Sequence, residues 1–281
     1  MSFEIIAMVI LAAVLHAGWN TLIKIKGNRL VTMAVFTLAG SIVSFLVVPW
    51  IAFPDRASWP LLGLTVLLHT GYHIFLPIAY DHGDLGQVYP IARGSAPLLV
   101  AVGALVVAGE TLAPFSLVGV LCLASGVMAL VFEKEREFWT NSKAVFYALL
   151  TGGFIACYTV ADGLGARKAG SVLGFAMWLT IGDGLLTFLI VFCWKGRKML
   201  SMVRDNFLIG ILGGAMQAGT YWIIVWALAL APMAMVSALR ETSVLIAAVI
   251  STFILKEGFG TWRFISAGLV TLGLIASRTG R

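Results

Sequence analysis

Residues 88–110 read VYPIARGSAPLLVAVGALVVAGE, and residues 235–257 read MVSALRETSVLIAAVISTFILKE. Each is an apolar run with an arginine near its start and a glutamate at its end. Arg93 and Arg240 are separated by 147 positions, and so are Glu110 and Glu257. Leu98 with Leu245, Ala101 with Ala248, Gly126 with Gly273 and Ala129 with Ala276 coincide at the same offset. A charge inside a membrane span costs at least about 2.5–3.5 kcal/mol, so such an arginine is retained only for a purpose. Two charges repeated at one offset, in a gap-free match, indicate an internal repeat.

Working outward from this pair, the chain divides into apolar runs long enough to cross a bilayer, which takes about 20 residues as a helix. Ten are expected, at roughly 4–23, 31–53, 59–80, 85–107, 113–132, 143–161, 172–194, 206–230, 232–255 and 261–277. The charge cluster Glu133-Lys134-Glu135-Arg136-Glu137 falls near mid-chain. It separates a first repeat, 1–137, from a second, 138–281. The first helices match less well: His16, Asn20 and Leu22 align with Tyr158, Asp162 and Leu164 at an offset of 142. Five spans per half is an odd number, so the second half enters the membrane with the opposite orientation. The expected fold is an all-α membrane protein of about ten transmembrane helices in two inverted five-helix repeats. Secondary transporters place substrate sites at such repeat interfaces.

Composition agrees. Of 281 residues, 60% are apolar and only 11% charged, against about 25% charged in soluble domains; the mean hydropathy is +0.99. The net charge of +6 is therefore no nucleic-acid footprint. Cys122, Cys157 and Cys193 are odd in number and lie in apolar runs, so they are read as small packing residues, neither a disulfide framework nor a zinc site. The start Met1-Ser2-Phe3-Glu4 lacks the basic region of a cleavable signal, and the first helix is expected to be retained. Gly119, Gly126, Gly213, Gly214, Gly268 and Gly273 read as close-packing points between helices. Glu110 and Glu257, in loops, read as helix-capping or orienting groups.

The candidate site starts with the arginines. A buried guanidinium grips a carboxylate, phosphate or phosphonate through paired hydrogen bonds; the competing reading is a structural ion pair with Glu241. Arg93, Arg240 and Glu241 sum to one positive charge, which favours an anionic or zwitterionic ligand. Tyr89 shares a helical face with Arg93, and Pro90 and Pro97 predict a kinked or broken helix there. Glu241 is also a candidate proton carrier, with Asp183 and Asp162 as rivals; Asp162 is expected at a helix end, near the interface. His69, Tyr72 and His73 share one face and read as a hydrogen-bonding cavity wall; two histidines alone fall short of a metal site. Gln217, Tyr221 and Trp222 fall near the matching repeat positions and offer aromatic walls or plain packing. Trp19 and Asn20 lie with His16 on one face of the first helix. Asn20 either contacts substrate or satisfies a neighbouring helix.

With these residues in view, the chain resembles the drug/metabolite transporter superfamily, in its ten-helix branch made of two EamA-type repeats. Gly109-Glu110 followed by Phe115, Gly119 and Gly126, the echo Glu257, Trp262 and Gly273, and the opening His16-Ala-Gly-Trp-Asn20 carry the resemblance. It implies a substrate cavity between the halves, alternating access, no ATP hydrolysis and no cofactor. The His16-Ala-Gly-Trp-Asn20 start is similar to a branch associated with phosphonate use. It also implies cytoplasmic termini, whereas the Lys and Arg counts, twelve in the loops after helices 1, 5, 7 and 9 against five on the opposite side, place the termini outside. The expected function is secondary transport of a small organic anion or zwitterion, such as an amino acid or organophosphonate. The expected setting is a cell (inner) membrane, with a coupling proton or counter-substrate and a monomeric unit. The alternative is a proton-coupled exporter of lipophilic or quaternary cations; a channel or a membrane-embedded enzyme ranks lower, since no nucleophile or metal constellation is present in the sequence.

Overall fold

The computed structural model describes residues 1–25, 28–82, 85–133, 142–196, 199, 207–246 and 260–279. Among them the chain is helical throughout, with no strand. The helices are α1 (Phe3–Ile25), α2 (Arg29–Val47), α3 (Trp59–His82), α4 (Leu85–Ala108), α5 (Pro114–Ala129), α6 (Ser142–Lys168), α7 (Val172–Lys195), α8 (Phe207–Leu230), α9 (Met233–Arg240) and α10 (Thr261–Thr279). Eight of the described helices are long and apolar enough to span a membrane, and Thr261–Ala276 is a shorter apolar helix. Glu257, Lys256 and the charge cluster at 134–137 lie outside the described residues.

Local chemistry sets the ends. The Asn28 side chain caps α2 by accepting from the backbone N–H of Leu30 at 3.1 Å and of Val31 at 3.3 Å. Pro49 follows the last turn of α2, which tightens into a 3-10 turn at Val48–Trp50, so this helix is shorter than its apolar run. Ser171 caps α7 by accepting from the Gly174 N–H at 3.1 Å, and Gly196, at φ +61°, ends it.

The distribution of polarity is inside-out. Arg93, Asp162, Asp183, Arg240 and Glu241 are all buried, while Leu46, Val106, Phe115 and Leu208 are exposed. In water such a surface would aggregate. In lipid it is the solvated surface, and the polar groups must then be satisfied inside the bundle. Cys157 and Cys193 belong to the exposed surface and Cys122 is half-buried, so two of the three are not the packing residues their setting suggested.

The two halves of the sequence interlock. α6 lies against both α3 and α4, α8 lies against α1 and α2, α2 pairs with α7, and α5 pairs with α10. Small residues permit the close crossings. A side chain at Gly126 would meet Val270 at 2.9 Å, and one at Gly273 would meet the Gly119 carbonyl at 2.9 Å. A side chain at Gly214 would meet the Phe36 carbonyl of α2 at 2.6 Å, and one at Gly213 would run into the Phe36 ring. Gly268 faces open space and is no packing point.

Two expectations about helix continuity reverse. α4 runs unbroken through Pro90 and Pro97, although Pro97 has no N–H to give the carbonyl of Arg93. The break falls instead in the second half, where α9 stops at Arg240 and Glu241 turns the chain before residues 242–246 resume a helix. α6, expected to end at 161, continues to Lys168. Asp162 is consequently no interfacial residue: it lies at 0% exposure, because Thr65, His69 and Tyr221 reach its carboxylate.

Glu110 does act as a cap, but for a helix of the other half. Its Oε2 accepts from the Met233 N–H at the start of α9 at 2.9 Å, and its Oε1 pairs with Arg167 Nη1 at 2.5 Å. Arg167 in turn donates to the carbonyls of Leu228 and Ala231 at 3.0 Å each. One glutamate thereby ties the α4–α5 loop, the end of α6 and the α8–α9 junction together.

Candidate functional site

Helices α1–α4 and α6–α9 all contribute to the wall of one cavity of about 60 Å³. That is well below the roughly 300–1,000 Å³ of pockets for drug-sized ligands. It has room for about four to six waters or a small solute.

At one side of the cavity stand the arginines. Arg93 Nε lies 2.7 Å from Glu241 Oε2, and Arg240 Nε lies 3.6 Å from Glu241 Oε1. Arg93 Nη2 donates to His16 Nε2 at 3.1 Å, and the Tyr89 hydroxyl lies 3.5 Å from the same nitrogen. The Tyr89 ring sits 5.7 Å from the Arg93 guanidinium carbon. Arg240 is less well provided. Its guanidinium carbon lies 5.8 Å from the Tyr158 ring, and its Nε and Nη2 are buried without a hydrogen-bond partner among the described residues. Both arginines line the cavity and Glu241 does not; it sits behind them, fully buried. A guanidinium with unused donors at the wall of a cavity is a place for an anion.

Another part of the wall is built on α3. His69 Nε2 lies 3.2 Å from Asp162 Oδ2 of α6 and 2.6 Å from the Tyr221 hydroxyl of α8. Thr65 and Tyr221 also donate to the Asp162 carboxylate. One turn further, His73 Nδ1 lies 3.1 Å from Asp183 Oδ1 of α7, which also accepts from Thr70 at 3.3 Å and Thr187 at 3.2 Å. His73 Nε2 faces the Gln217 amide of α8 at 3.4 Å. The i, i+4 spacing on α3 thus presents two Asp–His pairs in register, each closed by a side chain of α8, where Gln217 and Tyr221 have the same spacing.

The structure sorts the sequence candidates as follows. Trp19, His69, Tyr72, His73, Arg93, Gln217, Tyr221 and Arg240 line the cavity. Tyr89 and Glu241 stand one layer behind. Asn20 donates to the His16 carbonyl of its own helix at 2.8 Å, which satisfies it without a ligand. Trp222 turns away and donates to Thr180 Oγ1 at 3.3 Å, while its ring packs beside Phe175 and Val225. His16, Tyr158 and Asp183 line the cavity too. The signal for the first two was present: His16 and Tyr158 correspond at the 142 offset, and each stands against the arginine of its own half. No cluster of three or more metal-ligating side chains occurs among the described residues.

An all-helical bundle with an apolar exterior and charged side chains buried around an internal cavity defines a multi-pass membrane protein. Residues 142–279 match the EamA-like transporter family. Residues 142–279 therefore carry an EamA-like transporter domain, consistent with the drug/metabolite transporter superfamily. One solved crystal structure, 16% identical, overlays on 98% of this chain and 98% of its own with a TM-score of 0.76; at that identity the likeness is one of fold. No curated protein matches the chain.

Proposed function

We propose that this chain is a secondary transporter that carries a small organic anion or zwitterion across a cell (inner) membrane by alternating access, working as a monomer and without enzymatic chemistry. Arg240 is the anchor. The observation that carries this reading is its buried Nη2, at the wall of the cavity and without a hydrogen-bond partner among the described residues, while its Nε faces Glu241 Oε1 only at 3.6 Å. Arg93, by contrast, is held by Glu241 and His16, and serves to position Glu241 and the cavity wall. The small volume favours a solute of amino-acid or small-phosphonate size over a lipophilic drug.

The transport unit is two inverted repeats, 1–137 and 138–281. Beyond the shared offset, the packing supports this: exchanging the halves turns the contact of α3 with α6 into that of α8 with α1, turns α2 with α8 into α7 with α3, and maps the α2–α7 and α5–α10 pairs onto themselves. A site between two such units changes its access when one rocks against the other.

The alternative, a proton-coupled exporter of cations, draws on the aromatic wall formed by Trp19, Tyr72, Tyr158 and Tyr221. Among the described residues it lacks a free buried carboxylate, since Glu241, Asp162 and Asp183 are each engaged. A thermal-stability screen of the purified protein against amino acids, alkylphosphonates, carboxylates and quaternary amines decides between them, because ligand binding raises apparent stability by mass action. Stabilisation by anions or zwitterions that is absent in Arg240→Ala is the expected result. Stabilisation by quaternary amines alone, unchanged in Arg240→Ala, would overturn it.

A further inference from the structure

The buried charges do not balance. Among the described residues, Arg93 and Arg240 bring two positive charges into the interior, and Asp162, Asp183 and Glu241 bring three negative ones. With every histidine neutral the sum is one negative charge, in surroundings where net charge is strongly disfavoured. A proton on a buried imidazole removes it. His16 is ill placed to take that proton, since its Nε2 accepts from the Arg93 guanidinium at 3.1 Å. His69 and His73 remain, each on a carboxylate at 3.2 and 3.1 Å.

We propose that the His69–Asp162 and His73–Asp183 pairs form a two-place proton site: one proton is held in the resting protein, and a second is taken up from water when a monoanion binds at Arg240. This rests on the reading of Arg240 as the anion anchor. The added anion restores the negative charge that the first proton cancelled, and the second imidazolium cancels it again. Anion and proton then cross together as a neutral pair, one for one.

At His73 the surroundings fit both protonation states. The Gln217 amide faces His73 Nε2 at 3.4 Å, and its oxygen has no partner among the described residues. By rotating, that amide donates to a neutral imidazole or accepts from a protonated one. The Tyr221 hydroxyl donates to Asp162, so its lone pairs are turned to a proton on His69 Nε2, which the ring carries whether neutral or charged. The ionisable groups around the pairs are Tyr72 on α3 itself, Asp162 and Tyr158 from α6, Asp183 from α7, Tyr221 from α8 and the two arginines of the cavity wall. The link to the anion site is Tyr158. Its ring stacks on His69 at 3.8 Å between centroids and lies 5.8 Å from the Arg240 guanidinium carbon.

The test is ring-nitrogen NMR of histidine-labelled protein in lipid nanodiscs at neutral pH, with methanesulfonate and acetate as monoanion probes. The ligand-free wild type is expected to show one imidazolium shared by His69 and His73. Asp162→Asn and Asp183→Asn each remove one negative charge and are expected to abolish it. A probe that binds is expected to bring one proton out of weakly buffered solution per anion and to produce a second imidazolium. Two neutral rings in the ligand-free protein, an imidazolium that survives both Asn variants, or binding without proton uptake would each overturn the proposal. Failure of both probes to bind contradicts the Arg240 anchor instead, while the ligand-free spectra still decide the resting proton.

Discussion

Arg93 sits in a helix that runs unbroken past it, with Glu241 2.7 Å from Nε and His16 3.1 Å from Nη2. Arg240, 147 positions on, is the last residue of a helix that stops there, with Glu241 3.6 Å from Nε and with Nη2 lacking a hydrogen-bond partner among the described residues. On the proposed reading, the difference is a division of labour between two residues related by the repeat. The broken helix swings Glu241 onto the arginine of the other half, and so the first arginine becomes a strut while the second is left for a ligand.

The largest effects should come from breaking the strut. Glu241→Ala leaves two buried guanidinium groups without their shared counter-charge, and Arg93→Ala leaves Glu241 with only its distant partner. Removing one member of a buried ion pair costs about 3–5 kcal/mol, so both variants should show a strongly lowered unfolding temperature in detergent. Arg240→Ala should differ in degree and kind: a smaller loss of stability without ligand, since its contact with Glu241 is the longer one at 3.6 Å, and anion affinity lowered about 10–100-fold, as befits loss of charge-assisted hydrogen bonds worth about 1.5–3 kcal/mol. Equal destabilisation by Arg93→Ala and Arg240→Ala would erase the distinction between strut and anchor.

Much of this was legible in the sequence. The apolar runs placed the eight spanning helices found among the described residues, because lipid leaves a backbone few alternatives, and the repeat offset singled out both arginines. The rest depended on which helices meet. Asp162 looked interfacial because its charge ends an apolar run, yet Thr65 and His69, nearly a hundred residues earlier, and Tyr221, about sixty later, make a place for it inside. Asp183 and His73 are likewise brought together only by the crossing of α3 and α7. Pro90 and Pro97 pointed to a break in α4, whereas the chain turns at Arg240–Glu241, which carries no proline or glycine signal.

Smaller substitutions sharpen the contrast. Tyr158→Leu removes the ring beside Arg240 and should weaken anion binding about 2–5-fold, in line with a cation–π contact of about 0.5–1 kcal/mol; Tyr158→Phe should stay within about twofold by the same measure, read in the same binding assay. Glu110→Gln, which loosens the tie among the α4–α5 loop, Arg167 and the start of α9, should cost about 1 kcal/mol in thermal unfolding and leave affinity at Arg240 unchanged.

The most direct test of Arg240 as the anchor of a carrier is counterflow in proteoliposomes. Vesicles preloaded with the unlabelled anion identified by the stability screen are diluted into labelled anion. A transient overshoot of label in the wild type, absent in Arg240→Ala reconstituted to the same level, is the predicted result. Flux that never saturates or overshoots, and that is equal in the two proteins, would contradict it.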